Sequence, residues 1–345
     1  MRSLGRTLCW ITAPQKYLVL CLVAILFLFP FLVRSGYYIQ VMIMIIYFAY
    51  LSSCWNILAG YAGQLSIGNA AFVLIGAYIP TLLSLNLGLT PWIGMLIGGL
   101  VAAFLGFIVG YPTFRLRGAY FAISTMVLAE GLMRVVENIE YIGKVQIGGA
   151  EGLCLPMYHN SPFQFQFVDK NYYYYIILIM MLAVVYITYR IDRSKMGYYL
   201  WAIREDEDAA EALGVDVRKY KLLACIVSGF FTALAGTFYA QLMLYFDPVG
   251  VGGVSLSIEM VLIGVIGGRG TIIGPIIGAF LLIPIREMSR LYVGTTFLGA
   301  HLVIAGSILV IVILFFPHGV ELPIMKLFNR ICERLECRKV VGRSE

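Results

Sequence analysis

The chain has 345 residues, of which 61% are hydrophobic and 13% charged, with a formal net charge of +6. The charged share is about half that of an ordinary soluble domain, so this chain cannot cover itself with a solvated surface. We therefore expect it to be embedded in a membrane. The 25 Lys and Arg are scattered between apolar runs, and this distribution excludes nucleic acid as a partner.

A helix needs about 20 apolar residues to cross the hydrocarbon core. The apolar runs predict an all-α, polytopic transmembrane helical bundle of about ten spans, within a range of eight to twelve. The first run follows Arg2, Arg6 and Lys16 and lacks a small-residue cleavage site, so we interpret it as an uncleaved span. The eighth and ninth runs flank Gly267–Gly270 and form either two spans or one re-entrant or broken element. The predicted spans are 17–33, 37–58, 65–85, 91–110, 118–136, 172–189, 222–246, 255–268, 271–285 and 296–316.

The basic residues predict the orientation of these spans. If Met1 is cytoplasmic and ten spans alternate, the inside segments hold nineteen Lys and Arg and the outside segments hold five. This asymmetry satisfies the positive-inside rule and predicts that both termini are cytoplasmic. The chain then divides into a transmembrane domain over residues 1–316 and a tail over 317–345. The longest connections are an extracytoplasmic loop, 137–171, and a cytoplasmic loop, 190–221.

The tail has an amphipathic pattern. Ile324, Leu327, Ile331 and Leu335 recur at helical spacing, with basic residues between them. Such a helix lies on the lipid of the inner leaflet. A solvated tail is the alternative.

A short glycine pattern, which we call the internal echo, occurs once in each half of the chain. Gly68 is followed eight residues later by Gly76-Ala77-Tyr78, and Gly270 is followed eight residues later by Gly278-Ala279-Phe280. Transporters are often built from paired halves with glycine-interrupted helices in corresponding places. Alternatively, these small residues only allow helices to pack closely.

Motifs for chemistry are missing from the sequence. No lysine is followed by Ser or Thr, so the chain has no phosphate-binding loop of the Gly-x-x-x-x-Gly-Lys-Ser/Thr type. It also lacks Gly-x-Ser-x-Gly and His-Glu-x-x-His motifs, and its cysteines lack metal-ligand spacing. We therefore expect a protein that is not an enzyme and that carries no cofactor or metal.

Three ionisable residues fall within predicted spans. Glu130 and Arg134 stand four apart on one helical face and can neutralise each other. Glu259 has no partner within a helical turn. A carboxylate in such a place marks a cavity or a functional contact, unless it makes a structural hydrogen bond to a neighbouring helix.

The loop 190–221 holds seven basic and seven acidic residues. Its composition predicts a helix over Leu200–Leu213, because this stretch is rich in Ala, Glu, Leu and Arg and free of Gly and Pro. Gly214 then provides a helix stop. A short exposed helix on the cytoplasmic side of a transporter is a surface through which a partner protein can transmit force.

Within this loop, Asp208-Ala209-Ala210 followed by Gly214 is similar to the Glu-Ala-Ala-x-x-x-Gly coupling motif of ABC importer permeases, with Asp in the Glu position. The longer run of Ser194–Gly197 and Trp201–Glu205 resembles the LivM-type permease of branched-chain amino acid ABC importers. Three further blocks resemble the same family. They are Asn56–Gly68, Arg115–Ala122 and Ser257–Met260 with Gly267–Thr271 and Gly274-Pro275. The resemblance therefore covers about residues 37–316.

The resemblance implies a permease subunit in the cytoplasmic (inner) membrane of a prokaryote. Its implied partners are a second homologous permease subunit, two cytoplasmic ATPase subunits and an extracytoplasmic substrate-binding protein. The implied substrates are leucine, isoleucine and valine, with urea and short amides carried by close relatives. The residues assigned to ATPase coupling are Gly197, Ala202, Arg204, Glu205, Asp208, Ala209, Ala210 and Gly214.

A candidate substrate pathway lies near the first glycine-rich block. Gly60, Gly63 and Gly68 are expected to break the helix, and backbone donors at a half-helix amino end suit a substrate carboxylate. The alternative is that these glycines only pack helices. The candidate pathway residues are Gln64, Ser66, Asn69 and Glu259.

Two other classes of function compete with the importer permease. An ion-coupled secondary transporter or channel would need more buried acids or histidines than Glu130 and Glu259 supply, and it would not need the motif in the loop. A membrane enzyme would need a catalytic cluster, which the motifs do not provide.

Overall fold

A computed structural model describes residues 24–33, 35–142, 145–157 and 161–292, together with Gly306, Gly319 and Val320. The tail beyond Val320, most of the predicted tenth span and the start of the first lie outside the described residues. The helices are α1 (residues 24–32), α2 (Gly36–Asn56), α3 (Ala70–Leu87), α4 (Pro91–Thr113), α5 (Ala119–Asn138), α6 (Lys170–Asp192), α7 (Lys195–Glu205), α8 (Glu207–Ala212), α9 (Val217–Met243), α10 (Pro248–Gly252), α11 (Val254–Gly267) and α12 (Gly274–Tyr292).

Seven segments of the described chain are long and apolar enough to cross a membrane. They correspond to the predicted second to eighth spans and confirm a polytopic helical bundle. The segments are Gly36–Tyr61, Ala70–Leu87, Pro91–Thr113, Ala119–Asn138, Lys170–Asp192, Val217–Met243 and Pro248–Gly267.

The predicted eighth and ninth spans correspond to two helices, α11 and α12. α11 and α12 pack against each other and are joined by residues 268–273. Gly268 and Gly270 have positive φ angles of 130° and 81° in this connection, which L side chains rarely adopt. The Thr271 hydroxyl donates to the Gly268 carbonyl at 2.8 Å and accepts from the Gly274 N–H at 3.1 Å, so it closes the turn and caps α12.

Two helix starts differ from the prediction by five residues. α3 begins at Ala70 and not at residue 65, because the glycine-rich stretch before it is irregular. α9 begins at Val217 and not at residue 222, because the Asp216 carboxylate accepts from the Lys219 N–H and caps the helix there. The last residues of the predicted loop 190–221 therefore belong to a membrane helix, in which Lys221 is buried.

The connection between α5 and α6 contains short strands that the sequence did not predict. β1 (Tyr141–Ile142) pairs with β2 (Val145–Gln146), and β3 (Leu153–Cys154) pairs with β4 (Tyr245–Phe246), both antiparallel. The second pair ties this connection to the end of α9. Apart from these strands, the regular secondary structure of the described residues is helical.

α2 is the centre of the bundle and the most deeply buried of the seven membrane-length segments. It packs against α6, α9, α11 and α12. Tyr47, Tyr50 and Trp55 are among the largest fully buried side chains. A helix that is apolar on all sides can be enclosed by other helices in this way.

Glycines allow α3 and α9 to pack backbone against backbone. A Cβ atom at Gly76 would overlap the Ala233 carbonyl oxygen, and one at Gly236 would overlap that of Val73. The Thr237 hydroxyl donates to the Gly76 carbonyl at 2.7 Å. Gly278, the counterpart of Gly76 in the internal echo, faces the Ile263 carbonyl in the same way. Close packing therefore explains both positions, and the internal repeat stays a prediction.

We predict that Gly76→Ala lowers the free energy of unfolding by about 2 kcal/mol or more, because one methyl group forces α3 and α9 apart. Gly131→Ala on α5 is the matched control, since its Cβ would meet nothing within 4 Å. The control should be neutral or more stable by up to about 1 kcal/mol. Unfolding of both variants in mixed micelles measures the difference, and equal stabilities would contradict the packing argument.

Candidate coupling site

The loop after α6 folds back on the end of that helix. The Ser194 hydroxyl donates to the Ile191 carbonyl at 2.7 Å and accepts from the Gly197 N–H at 3.4 Å, which caps α7. A Cβ atom at Gly197 would overlap the Ile191 carbonyl oxygen and lie 2.6 Å from that of Asp192. Position 197 therefore requires glycine for a steric reason, because a side chain there would prevent the chain from folding back so tightly at the start of α7.

α7 is seated on the bundle by one face. Leu200 and Ile203 are buried. The Trp201 indole donates to the Asp192 carboxylate at 3.1 Å and meets the Tyr61 ring edge-on at 5.8 Å. Tyr61 ends a π-helical turn, Ile57–Tyr61, that extends α2. α7 therefore rests directly on the first glycine-interrupted segment of the membrane bundle.

The single helix predicted over Leu200–Leu213 is wrong. Asp206 is extended, with φ −158° and ψ 116°, and divides the stretch into α7 and α8. Its carboxylate accepts from the Asp208 and Ala209 N–H groups at 2.9 and 3.0 Å. Asp is a poor residue for a helix interior but a strong amino-terminal cap, so it starts a second helix.

The predicted stop at Gly214 is confirmed. Gly214 has φ +86°, its N–H donates to the Glu211 carbonyl at 2.9 Å, and the Val215 N–H donates to that of Ala210 at 3.1 Å. These two bonds form the Schellman arrangement that ends many helices. Space around Gly214 is open, and the preceding Leu213 side chain is 84% exposed.

Arg204 reaches from α7 into the bundle. Its Nη1 donates to the Gly60 carbonyl at 2.7 Å, and a Cβ atom at Gly270 would overlap that nitrogen. Burial, and to a lesser extent the positive charge of Arg269, lowers the pKa of the Arg204 guanidinium. The side chain thus touches both glycine-interrupted segments, residues 57–69 and 268–273.

Asn56 joins the same two segments from inside the bundle. Its Oδ1 accepts from the Gly270 N–H at 2.7 Å, and its Nδ2 donates to the Thr271 carbonyl at 2.7 Å. Asn56 is 1% exposed. One side chain therefore satisfies two backbone groups of the second segment while it stands at the start of the first.

α8 is anchored by charge. Glu207 Oε1 accepts from Lys221 Nζ at 2.6 Å and from Gln64 Nε2 at 2.7 Å, and Glu207 Oε2 lies 3.5 Å from Arg117 Nε. The Lys221 side chain is 1% exposed. We call these four residues the Glu207 network. It connects α8 to α9, to the segment before α3 and to the connection between α4 and α5.

Sequence reasoning missed Glu207, Lys221 and Arg117. A signal existed for Lys221, since it precedes Ala224, Cys225 and Ser228 at the helical spacing of one buried face. A lysine on such a face needs a buried anion.

Asp208 points away from the bundle and pairs with Arg117 through two contacts, at 2.8 and 3.0 Å. The hydrogen bond from Arg117 lowers the pKa of the Asp208 carboxyl below its ordinary value. This stabilising contribution is therefore present above the ordinary carboxyl pKa and is lost as pH falls through the lowered pKa. The pair is exposed, so it orients the surface more than it stabilises the fold.

The eight predicted coupling residues thus fall into two groups. Glu205, Asp208, Ala209 and Gly214 are exposed. Gly197 and Ala210 are buried, and Ala202 and Arg204 are half-buried. The exposed members lie at the end of α7, along α8 and just beyond it.

The candidate pathway residues make separate contacts. Ser66 Oγ accepts from the Gly68 N–H at 3.3 Å, and Asn69 Nδ2 donates to Ser228 at 3.3 Å. The backbone donor at the start of α3, the Ala70 N–H, is bound to the Ser257 hydroxyl at 2.9 Å. Glu259 lies elsewhere, on α11, and forms an ion pair with Arg286 of α12.

Among the described residues, no cluster of three or more His, Cys, Asp or Glu could hold a metal ion. The helical bundle, together with a charged helix pair anchored to interrupted membrane helices, defines a multi-pass membrane protein of the transport class.

Residues 37–314 match the family described as "Branched-chain amino acid transport system / permease component", and the chain belongs to this family. It is 28% identical over 327 residues to the high-affinity branched-chain amino acid transport system permease protein LivM of Escherichia coli K12, covering 89% of this chain and 75% of the relative. It is also similar to two Methanocaldococcus jannaschii proteins named as probable branched-chain amino acid transport permeases. These are LivM, 22% identical over 69% of this chain and 76% of the relative, and LivH, 22% identical over 74% and 82%.

We predict an asymmetry within the Glu207 network. Glu207→Gln leaves the Lys221 ammonium buried without its anion and should cost about 3 kcal/mol of unfolding free energy. Lys221→Met replaces a buried charge with an apolar chain of similar length, while Glu207 keeps Gln64 and Arg117. That variant should change stability by less than about 1 kcal/mol.

Unfolding in mixed micelles compares the two variants, and the double variant Glu207→Gln/Lys221→Met tests whether the damage comes from the stranded charge. The double variant should regain most of the loss. If Lys221→Met were as unstable as Glu207→Gln, the asymmetry would be wrong.

Proposed function

We propose that this chain is the transmembrane permease subunit of an ATP-binding-cassette importer that moves leucine, isoleucine and valine into the cytoplasm of a prokaryote. The observation that carries the proposal is the anchoring of α7 and α8. Arg204 binds the Gly60 carbonyl and Glu207 binds Lys221 and Gln64, so force on this helix pair reaches interrupted membrane helices.

The complete bundle has ten spans, with both termini cytoplasmic and the protein in the inner membrane. The count of nineteen inside against five outside basic residues supports this orientation. The loop that carries α7 and α8 then faces the cytoplasm, and the β3–β4 pair lies on the opposite side. A domain over residues 1–316 and a membrane-surface tail over 317–345 complete the organisation.

The partners follow from what the chain has and lacks. Two ATPase subunits supply the energy, since the sequence has no phosphate-binding loop, and they dock on the exposed edge formed by Glu205, Asp208, Ala209 and Gly214. A second, homologous permease subunit completes the pathway, and both LivM and LivH proteins are among the relatives. An extracytoplasmic binding protein delivers the substrate.

Arg204 gives this arrangement a direct mechanical route. When an ATPase moves α7, the guanidinium moves with it and carries the Gly60 carbonyl and the neighbouring Gly270 backbone. Gln64 is held by Glu207, so displacement of α8 frees it. Gln64, Ser66, Asn69 and Glu259 remain our proposed pathway residues.

The relatives' names favour branched-chain amino acids over urea or short amides. An ion-coupled carrier or channel is also disfavoured, since Glu259 is paired with Arg286.

We predict that Gly214→Arg reduces ATP-driven leucine uptake at least tenfold, because it places bulk and charge at an open position of the docking edge. Gly214→Asn is the control, since Asn tolerates positive φ and should retain most uptake. Asp208→Glu should also retain it, because a carboxylate remains within reach of Arg117. The measurement is uptake by proteoliposomes that contain the co-purified transporter and binding protein.

Two results would contradict this proposal. Uptake at the original rate by Gly214→Arg would remove the docking edge from the mechanism. Leucine uptake driven by an ion gradient in the absence of ATPase subunits would place the chain among secondary transporters.

A further inference from the structure

A cavity of about 450 Å³ lies between the ends of α4 and α9, beside the coupling site. Neither the sequence motifs nor the coupling mechanism uses it. Its wall is basic and acidic on one side and aromatic on the other. The lining residues are Phe107, Gly110, Tyr111, Phe114, Asp216, Arg218, Lys219 and Leu222.

The polar wall has unused positive charge. Arg218 and Lys219 are exposed in the first turn of α9, and within the described part of the chain neither side chain forms an ion pair. Asp216 is the one acid in the wall, and its carboxylate accepts from the Lys219 backbone N–H at 3.1 Å. That carboxylate is thus engaged as the helix cap, and the two cations remain available to an anion.

The apolar wall is formed by the exposed aromatic side chains of α4. Phe107 and Tyr111 are 45% and 62% exposed and lie in the last two turns of α4. Gly110 lies between them, and a Cβ atom there would come within 2.9 Å of the Phe114 and Leu222 side chains, so α4 packs closely against α9 at this position. Aromatic rings at the end of a membrane helix mark the headgroup level, so the cavity lies where headgroups meet acyl chains.

We propose that this cavity binds an anionic phospholipid of the cytoplasmic leaflet, with its phosphate between Arg218 and Lys219 and its first acyl carbons along Phe107 and Tyr111. Basic pockets between membrane helices on the cytoplasmic side suit such headgroups. The leaflet assignment rests on the orientation in the proposed function. A soluble anion would contact only the basic wall, whereas a phospholipid would contact the basic wall with its phosphate and the exposed rings with its acyl chains.

The site has a consequence for coupling. The lipid would contact the first turn of α9, and Lys221 of the Glu207 network lies in the next turn of the same helix. It would also contact the residues just beyond Gly214. An anionic lipid at this site would therefore stabilise the start of α9, to which α8 is anchored through Lys221.

The test is lipid selectivity at the cavity itself, measured by tryptophan quenching. Tyr111→Trp places a fluorophore in the wall, and the signal is its difference from the parent protein. The purified full chain with its partner subunits is reconstituted with brominated phosphatidylglycerol or brominated phosphatidylcholine in an otherwise unlabelled phosphatidylcholine bilayer. We expect phosphatidylglycerol to quench at a mole fraction at least fivefold lower.

The added substitutions Arg218→Gln and Lys219→Gln should abolish this selectivity. The matched control, Arg193→Gln and Lys195→Gln, removes the same charge from the same loop outside the cavity and should retain it. Equal quenching by both lipids, or selectivity that survives the loss of Arg218 and Lys219, would overturn the proposal. So would selectivity that inorganic phosphate removes but chloride of equal ionic strength does not, because the site would then bind free phosphate.

This measurement uses neither ATP nor substrate. Its failure is therefore distinguishable from failure of the transport assay, and the two proposals can be rejected separately.

Discussion

The structure depends on the need to satisfy backbone hydrogen bonds where membrane helices are interrupted. Within the hydrocarbon core, an unpaired N–H or C=O costs several kcal/mol. Residues 57–69 and 268–273 both leave regular helix, and Asn56 meets the need by bonding the Gly270 N–H and the Thr271 carbonyl. The Trp55 indole does the same for the Ser66 carbonyl at 2.8 Å. These contacts hold two irregular segments together as one unit beneath α7.

The arrangement of α7 and α8 follows from that unit. Arg204 can insert between the two segments because Gly270 leaves room for its guanidinium, while Gly60 leaves room for the Asn56 side chain and the Gly270 backbone. Glycine here has a different task from that at Gly76, where it brings two helices into contact. The two roles are complementary. Glycine at position 76 allows close helix packing within the bundle, and glycine at position 270 gives the Arg204 side chain access to the backbone.

Much of this fold could be predicted from the sequence, because the lengths of the apolar runs and the positions of the glycines between them are local signals. The spans from α2 to α9, and the stop at Gly214, follow from them. The break at Asp206 was missed because helix propensity summed over Leu200–Leu213 outweighs one capping residue, although the cap decides the backbone there. Tertiary partners were also out of reach. Lys221 was assigned to a solvated loop, and the Arg286 partner of Glu259 lies on a different helix.

The two anchors of the coupling site differ in kind, and the difference bears on mechanism. Arg204 donates to the Gly60 carbonyl and lies against Gly270, so in the proposed mechanism it would move both interrupted segments together. Glu207 holds side chains from three separate parts of the bundle, and these contacts can exchange, since Arg117 is shared with Asp208. The extended Asp206 lies between the two anchors. In the proposed mechanism, a push on the exposed edge would displace α7 with its segments while α8 changes partners, and the break at Asp206 would let those two motions occur independently.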